Sequence, residues 1–176
     1  MDSPVNTLGT IAGSVVMSRW GGPQQLVLGV LSGATLRGLC LLAMGLQTQP
    51  YVLAAGTFGF MFGMSFGASC TQALLMRKVP AAIQGRVFSI RFVITFSSIP
   101  FAIGLSGPLA DSFFEPSMAA GGLLALTLGP WMGTGPGRGM GLMLALAGLL
   151  TLATVAVAYR YRAIREIDRL LPDAEG

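Results

Sequence analysis

Three stretches of the chain, 38–76, 92–110 and 139–159, contain no charged residue. Nothing else in the sequence limits the fold as strictly. An α-helix rises about 1.5 Å per residue and a bilayer core is about 30 Å thick, so about 20 apolar residues cross it. Each uncharged stretch reaches that length or nearly doubles it. Composition agrees: charged residues are 10% of the 176, and hydrophobic residues 53%, where a soluble domain carries about 25% charged residues. A chain so poor in charge cannot cover an apolar core with polar surface. The fold class expected is an all-α integral membrane protein with several spans.

Hydropathy and helix breakers divide the chain into spans at 5–18, 25–46, 51–76, 87–109 and 140–159. The first is short for a crossing, and Gly9 and Gly13 predict a break in it. A tight connection at 47–50 joins the second and third. An external loop is expected at 110–138, and a charged tail at 161–176 follows the transmembrane region at 1–160. The run 116–137 also lacks charges and rivals the others as a span. Its paired glycines at one end, and Pro130, Gly133, Gly135, Pro136 and Gly137 at the other, leave too short a run of helix formers.

The basic residues support the same choice, because cytoplasmic loops are enriched in Lys and Arg. With 116–137 outside, the inner side receives Arg19, then Arg77, Lys78, Arg86 and Arg91, then Arg160, Arg162, Arg165 and Arg169. The outer side receives only Arg138. The passage KVPAAIQGRVFSIRF, 78–92, then reads as a cytoplasmic loop between two spans. The net charge of +4 and pI near 9.7 imply contact with a lipid bilayer rather than nucleic acid, since the basic residues cluster at span ends and form no stripe with aromatics.

The chain has no histidine, and its acids form no pair inside a span. Ser-His-Asp and Cys-His chemistry are unavailable, so no enzyme is expected. Cys40 and Cys70 lie within spans and read as small hydrophobes; they have neither metal spacing nor a disulfide framework, and no cofactor is implied. The opening MDSPVNTLGT lacks the basic and apolar regions of a signal peptide.

Three features within the spans are candidates for function or packing. Ala55, Gly59, Gly63 and Gly67 recur every four residues in the third span, and Gly29 and Gly33 repeat the device in the second; small residues so spaced let helix backbones approach. Phe58, Phe62, Ser65, Ser69 and Gln72 follow the same period on another face. Aromatics with hydroxyl and amide groups suit a pocket for a bulky amphipathic molecule, and ordinary helix packing explains the pattern equally well. Arg37 is the one charge deep in a span. An intramembrane ionisable residue is a functional candidate by default, and the alternative is a side chain held among neighbouring helices or snorkelling. Asp111 and Glu115, just past the fourth span, fit a solvated loop better than a helix cap or an exit lining.

VPAAIQGRVFSIRF followed by GPLAD resembles the segment joining helices ten and eleven of the major facilitator superfamily, and is most similar to bacterial drug exporters of the macrolide-efflux type. SGPLADSFFEPSM, LGPWMGTGPGRGMGLM and LLPD resemble that family's last external loop, last helix and tail. GSVVMSRWGG resembles its loop between helices eight and nine, with Met17 and Ser18 standing before Arg19 where no acid is evident. The resemblance implies a twelve-helix fold in two six-helix halves. This chain would be a partial C-terminal half, comprising the end of helix eight and helices nine to twelve, with seven helices before residue 5. It implies efflux of a small amphipathic molecule, such as a drug or macrolide, by alternating access in the bacterial inner membrane, with the C-terminus cytoplasmic. Its partners would be the small-molecule substrate, the bilayer and the missing N-terminal half. If efflux is proton-coupled, the coupling acid belongs to that half, since no Asp or Glu lies mid-span here. The third span would be the cavity-lining helix ten and the second the peripheral helix nine. Gly85, Arg86 and Arg91 would form a gating loop, with Arg86 contacting the carbonyl ends of neighbouring helices in one transport state. Headgroup anchoring, worth about 1 kcal/mol per basic residue, is the alternative for Arg86 and the favoured role of Arg77 and Lys78. Rival expectations are a half-transporter that acts only through assembly with a partner half, and a remnant without activity.

Overall fold

The computed structural model describes residues 4–20, 25–47, 49–119 and 137–161, and among them every regular element is a helix. The elements are α1 (Pro4–Trp20), α2 (Leu26–Leu46), α3 (Pro50–Lys78), α4 (Ala81–Leu109), a π-helical turn (Ala110–Phe114), α5 (Glu115–Met118) and α6 (Arg138–Arg160). Proline sets two of the starts. Pro50 occupies the first turn of α3, where its missing N–H leaves no bond unmade, and Pro80 stands at the N-cap of α4 in an extended conformation. Pro108 lies inside α4 and removes a donor from the ladder near its end, where the π-helical turn begins. Gly137 enters α6 at φ 84°, a left-handed conformation that glycine adopts without a Cβ penalty.

Among the described residues, four helical segments are long and apolar enough to cross a membrane: Leu26–Leu46, Pro50–Lys78, Ala81–Met118 and Arg138–Arg160. They mark a membrane-embedded protein. The third of them is continuous through the π-helical turn over 38 residues, about 57 Å at the helical rise, nearly twice a bilayer core. Its charge-free part, 92–110, is about 28 Å long and matches that core, with Arg91 at one boundary and Asp111 at the other. The ends of the helix project beyond it.

Close backbone contacts fix the helix directions. Gly9 and Gly13 of α1 lie against the carbonyls of Phe58 and Phe62, and the Cys70 Sγ is 3.9 Å from the Met17 Sδ, so α1 and α3 run parallel. Gly33 sits on Gly63 and Gly67, and Cys40 on Gly59, so α2 is antiparallel to α3. Gly38 meets Gly148 and Leu152 while Gly45 meets Gly141 and Ala145, so α6 is antiparallel to α2. α4 starts beside the end of α3 and delivers its far end to the start of α6. Successive long helices therefore alternate in direction. A small apolar core of Phe114, Met118, Leu142 and Ala145 sits where the end of α4 meets α6, with Leu42 and Met143 packed on it. By contrast, α4 itself has no buried residue from Ala81 to Leu109.

Several expected boundaries are corrected. α1 is unbroken, because Gly9 and Gly13 are close-approach points to α3 rather than breaks. α3 continues to Lys78 and α6 begins at Arg138. The expected loop at 78–92 shrinks to Val79 and Pro80, since α4 starts at Ala81 and not at residue 87. The expected external loop at 110–138 loses its first nine residues, 110–118, to the π-helical turn and α5. In both places charged residues end the apolar run, while the helix continues past them. The rest of the rival span, 120–136, and the tail beyond Tyr161 lie outside the described residues. The residues flanking 120–136 are nonetheless side by side at one end of the bundle: the Gly137 N–H donates to the Glu115 Oε1 at 2.7 Å and the Gly139 N–H to its Oε2 at 3.3 Å.

Candidate functional site

The two-residue connection at Val79 and Pro80 folds α4 back along the end of α3. Gln84 holds the turn: its Nε2 donates to the Val79 carbonyl at 2.9 Å and the Met76 carbonyl at 3.3 Å. Those carbonyls belong to the end of α3, where a helix leaves acceptors unpaired. Arg86, expected to reach such carbonyl ends, is exposed and has no hydrogen-bond partner among the described residues. Gly85 is exposed beside it, and a Cβ there would meet nothing within 4 Å. In this arrangement Gln84 pairs with the carbonyls at the end of α3. A glutamine four residues past a helix-starting proline was the available signal.

This hairpin opens a cleft of about 330 Å³ between α3 and α4, lined by Gln72, Phe88, Arg91, Phe92, Thr95 and Phe96. It brings together Gln72 and Arg91, which the sequence assigned to two separate features. Phe88, Phe92 and Phe96 recur at four-residue intervals, which places them on one face of α4; the rings of Phe92 and Phe96 stack with centroids 4.0 Å apart and planes 25° from parallel. Gln72, Arg91 and Thr95 have no hydrogen-bond partner among the described residues. Many helix hydroxyls here are spent on their own backbone, as when Ser89 donates to the Gly85 carbonyl and Ser98 to that of Ile94.

The rest of the α3 stripe faces elsewhere. Ser65 Oγ donates to the Thr10 carbonyl at 3.1 Å and lies 3.4 Å from Ser14 Oγ, so it belongs to the interface with α1. Phe58 and Phe62 present their carbonyls to that interface, and the Phe62 ring stacks on Phe66 at 6.2 Å. Ser69 donates to the Ser65 carbonyl within α3. Only Gln72 of the five reaches the cleft.

Arg37 lies between α2 and α3. A Cβ on Gly63 would sit 3.0 Å from the Arg37 Cγ and 2.9 Å from the Gly33 carbonyl oxygen, so Gly63 seats both a helix backbone and the arginine stem. The Arg37 Nε is buried without a hydrogen-bond partner among the described residues. Gly59 faces Cys40, with 2.6 Å from its Cβ position to the Cys40 Sγ, while a Cβ on Gly67 would meet nothing within 4 Å. Glu115, read from sequence as a solvated loop residue, caps the start of α6 instead, because the π-helical turn carries it onto that helix. Asp111 remains exposed. No group of three or more His, Cys, Asp or Glu among the described residues is placed to hold a metal ion. Comparison with protein-family models, with curated proteins and with solved structures finds no match to this chain.

Proposed function

We propose that this chain forms part of a transporter of the major-facilitator type. It would export a small amphipathic molecule from a bacterial cell by alternating access, with proton coupling supplied by helices outside this sequence. The observation that carries the reading is the α3–α4 cleft, where unpaired polar groups and stacked rings lie side by side. One wall, α3, is packed between α1 and α2; the other, α4, is tied to the bundle chiefly near its ends. A cavity between a fixed and a loosely held helix suits a site whose access alternates. In this reading the protein is a multi-pass component of the inner membrane with Arg19, Lys78, Arg86 and Arg160 toward the cytoplasm, and its partners are the substrate, the bilayer and a complementary half.

A second reading, assembly with a partner half without transport by this chain, is favoured by the bare length of α4. Accumulation of a panel of anionic, neutral and cationic fluorescent dyes in efflux-deficient cells separates the two. Expressed alone, the chain should insert and leave accumulation unchanged. Expressed with any spans encoded ahead of it, it should lower accumulation severalfold, and a protonophore should abolish the effect. Unchanged accumulation in both cases rejects export, and efflux by the chain alone rejects the need for a complementary half.

A further inference from the structure

We infer that the α3–α4 cleft is a binding site for an anionic amphiphile with a planar aromatic body. The inference deepens the export reading by naming a substrate class, and rests on it only for the step of transport. The charge argument comes first. Residues 3–110 contain no Asp or Glu, and Arg91 is the one charged side chain that lines the cleft among the described residues. Arg91 lines the cleft and has no ion-pair or hydrogen-bond partner among the described residues. Its planar guanidinium offers the paired donors that suit a carboxylate or sulfonate. The Gln72 amide and Thr95 hydroxyl, equally unpaired, add donors beside it.

The apolar half of the site follows from helix position. Arg91 stands at the boundary of the charge-free segment, and Phe92 and Phe96 follow it into that segment. The two stacked rings offer a flat surface on which a further aromatic plane can stack. An amphiphile entering from the leaflet would keep its anionic head at the Arg91 level and slide its rings along α4. A volume of about 330 Å³ matches a small drug-like molecule, at the lower end of usual ligand pockets. Two other described cavities, one between α2 and α6 lined by Leu28 and Tyr159 and one between α2 and α3 lined by Leu39 and Tyr51, have no charged side chain in their walls.

Two fluorescent probes with the same ring system and opposite charge test the assignment: dansylglycine, an anion, and dansylcadaverine, a cation. Binding is measured to the purified full chain in phosphatidylcholine nanodiscs, with empty nanodiscs subtracted. Dansylglycine should bind at least tenfold tighter than dansylcadaverine. Arg91→Gln should weaken dansylglycine about tenfold, the scale of one charged hydrogen bond, and Arg91→Lys should restore much of the loss. Phe92→Ala should weaken both probes, and Arg160→Gln, which removes a charge from the far end of α6, should change neither. Equal binding of the two probes, or an Arg91→Gln chain that binds dansylglycine as before, overturns the inference. Loss of dansylglycine binding when phosphatidylglycerol is added assigns the cleft to a lipid headgroup and overturns it too. No step of the assay requires transport, so binding that depends on Arg91 without efflux in cells would retain the site and reject the export reading.

Discussion

Gly45→Leu should lower the amount of folded protein in the membrane by at least tenfold. A Cβ at Gly45 would stand 2.5 Å from the Gly141 carbonyl oxygen, 2.6 Å from the Ala145 nitrogen and 2.8 Å from the Ala145 Cβ. Two of those atoms are backbone, so no side chain can rotate away, and α2 and α6 must separate. Overpacking typically costs about 1–3 kcal/mol where neighbours can adjust; a rigid backbone contact should exceed that range. The loss should spread, because α6 reaches the rest of the bundle mainly through α2 and the Glu115 junction. Gly104→Leu, on a part of α4 where a Cβ would meet nothing within 4 Å, is the matched control and should leave abundance unchanged. The α3 stripe divides the same way: Gly63→Leu should behave like Gly45→Leu, and Gly67→Ala should be neutral. Membrane abundance and a monodisperse elution profile check all four. Equal tolerance of Gly45→Leu and Gly104→Leu would contradict the packing described.

Glu115→Ala should release the far end of α4 from α6. The carboxylate accepts the N–H groups of Gly137 and Gly139, which are among the donors a helix start leaves unpaired, and a negative charge there is favoured by the helix dipole. Hydrogen bonds to a charged group contribute about 1.5–3 kcal/mol each. Because Ala81–Leu109 buries nothing, this junction and the adjoining Phe114 and Met118 packing are the main hold on that end. Hydrogen exchange at 110–118 and 137–141 should accelerate at least tenfold in Glu115→Ala and by less in Glu115→Gln, which keeps one acceptor. Asp111→Ala, removing an exposed carboxylate on the same turn, should leave exchange unchanged. No acceleration in Glu115→Ala would show that apolar packing alone holds the junction.

The positions of α2, α3 and α6 were legible in sequence to within a residue or two, because long charge-free runs allow one kind of element. The extent of α4 was not. Arg86, Arg91, Asp111 and Glu115 flank the charge-free run, and a helix has no need to stop where that run ends. Gly9 and Gly13 show a related ambiguity: glycine weakens an isolated helix, yet in contact with a neighbour it permits the approach that holds α1 to α3. Which side of α3 faces a cavity was hidden because the helix is apolar all round, and such a helix carries no directional signal. The stripe Phe58, Phe62, Ser65, Ser69 and Gln72 therefore straddles two environments, with only its last member in the cleft. Phe88, Phe92 and Phe96 were readable as a face of one helix, but nothing in the sequence set that face beside Gln72. Gln72 and Arg91 line one cleft because the short Val79–Pro80 turn folds α4 back beside the end of α3.

Export through this bundle requires that its long helices cross the bilayer alternately, with the basic ends on one side and the Glu115 junction on the other. Thiol labelling of intact cells measures that arrangement directly. In a Cys40→Ala, Cys70→Ala background, single cysteines replace four exposed residues: Gln49 and Ala119 at one end of the helices, Ala82 and Tyr161 at the other. A membrane-impermeant maleimide should label Gln49→Cys and Ala119→Cys in intact cells, and Ala82→Cys and Tyr161→Cys only after permeabilisation. Labelling of Tyr161→Cys together with Ala119→Cys in intact cells would place both ends of α6 outside and contradict the alternating arrangement.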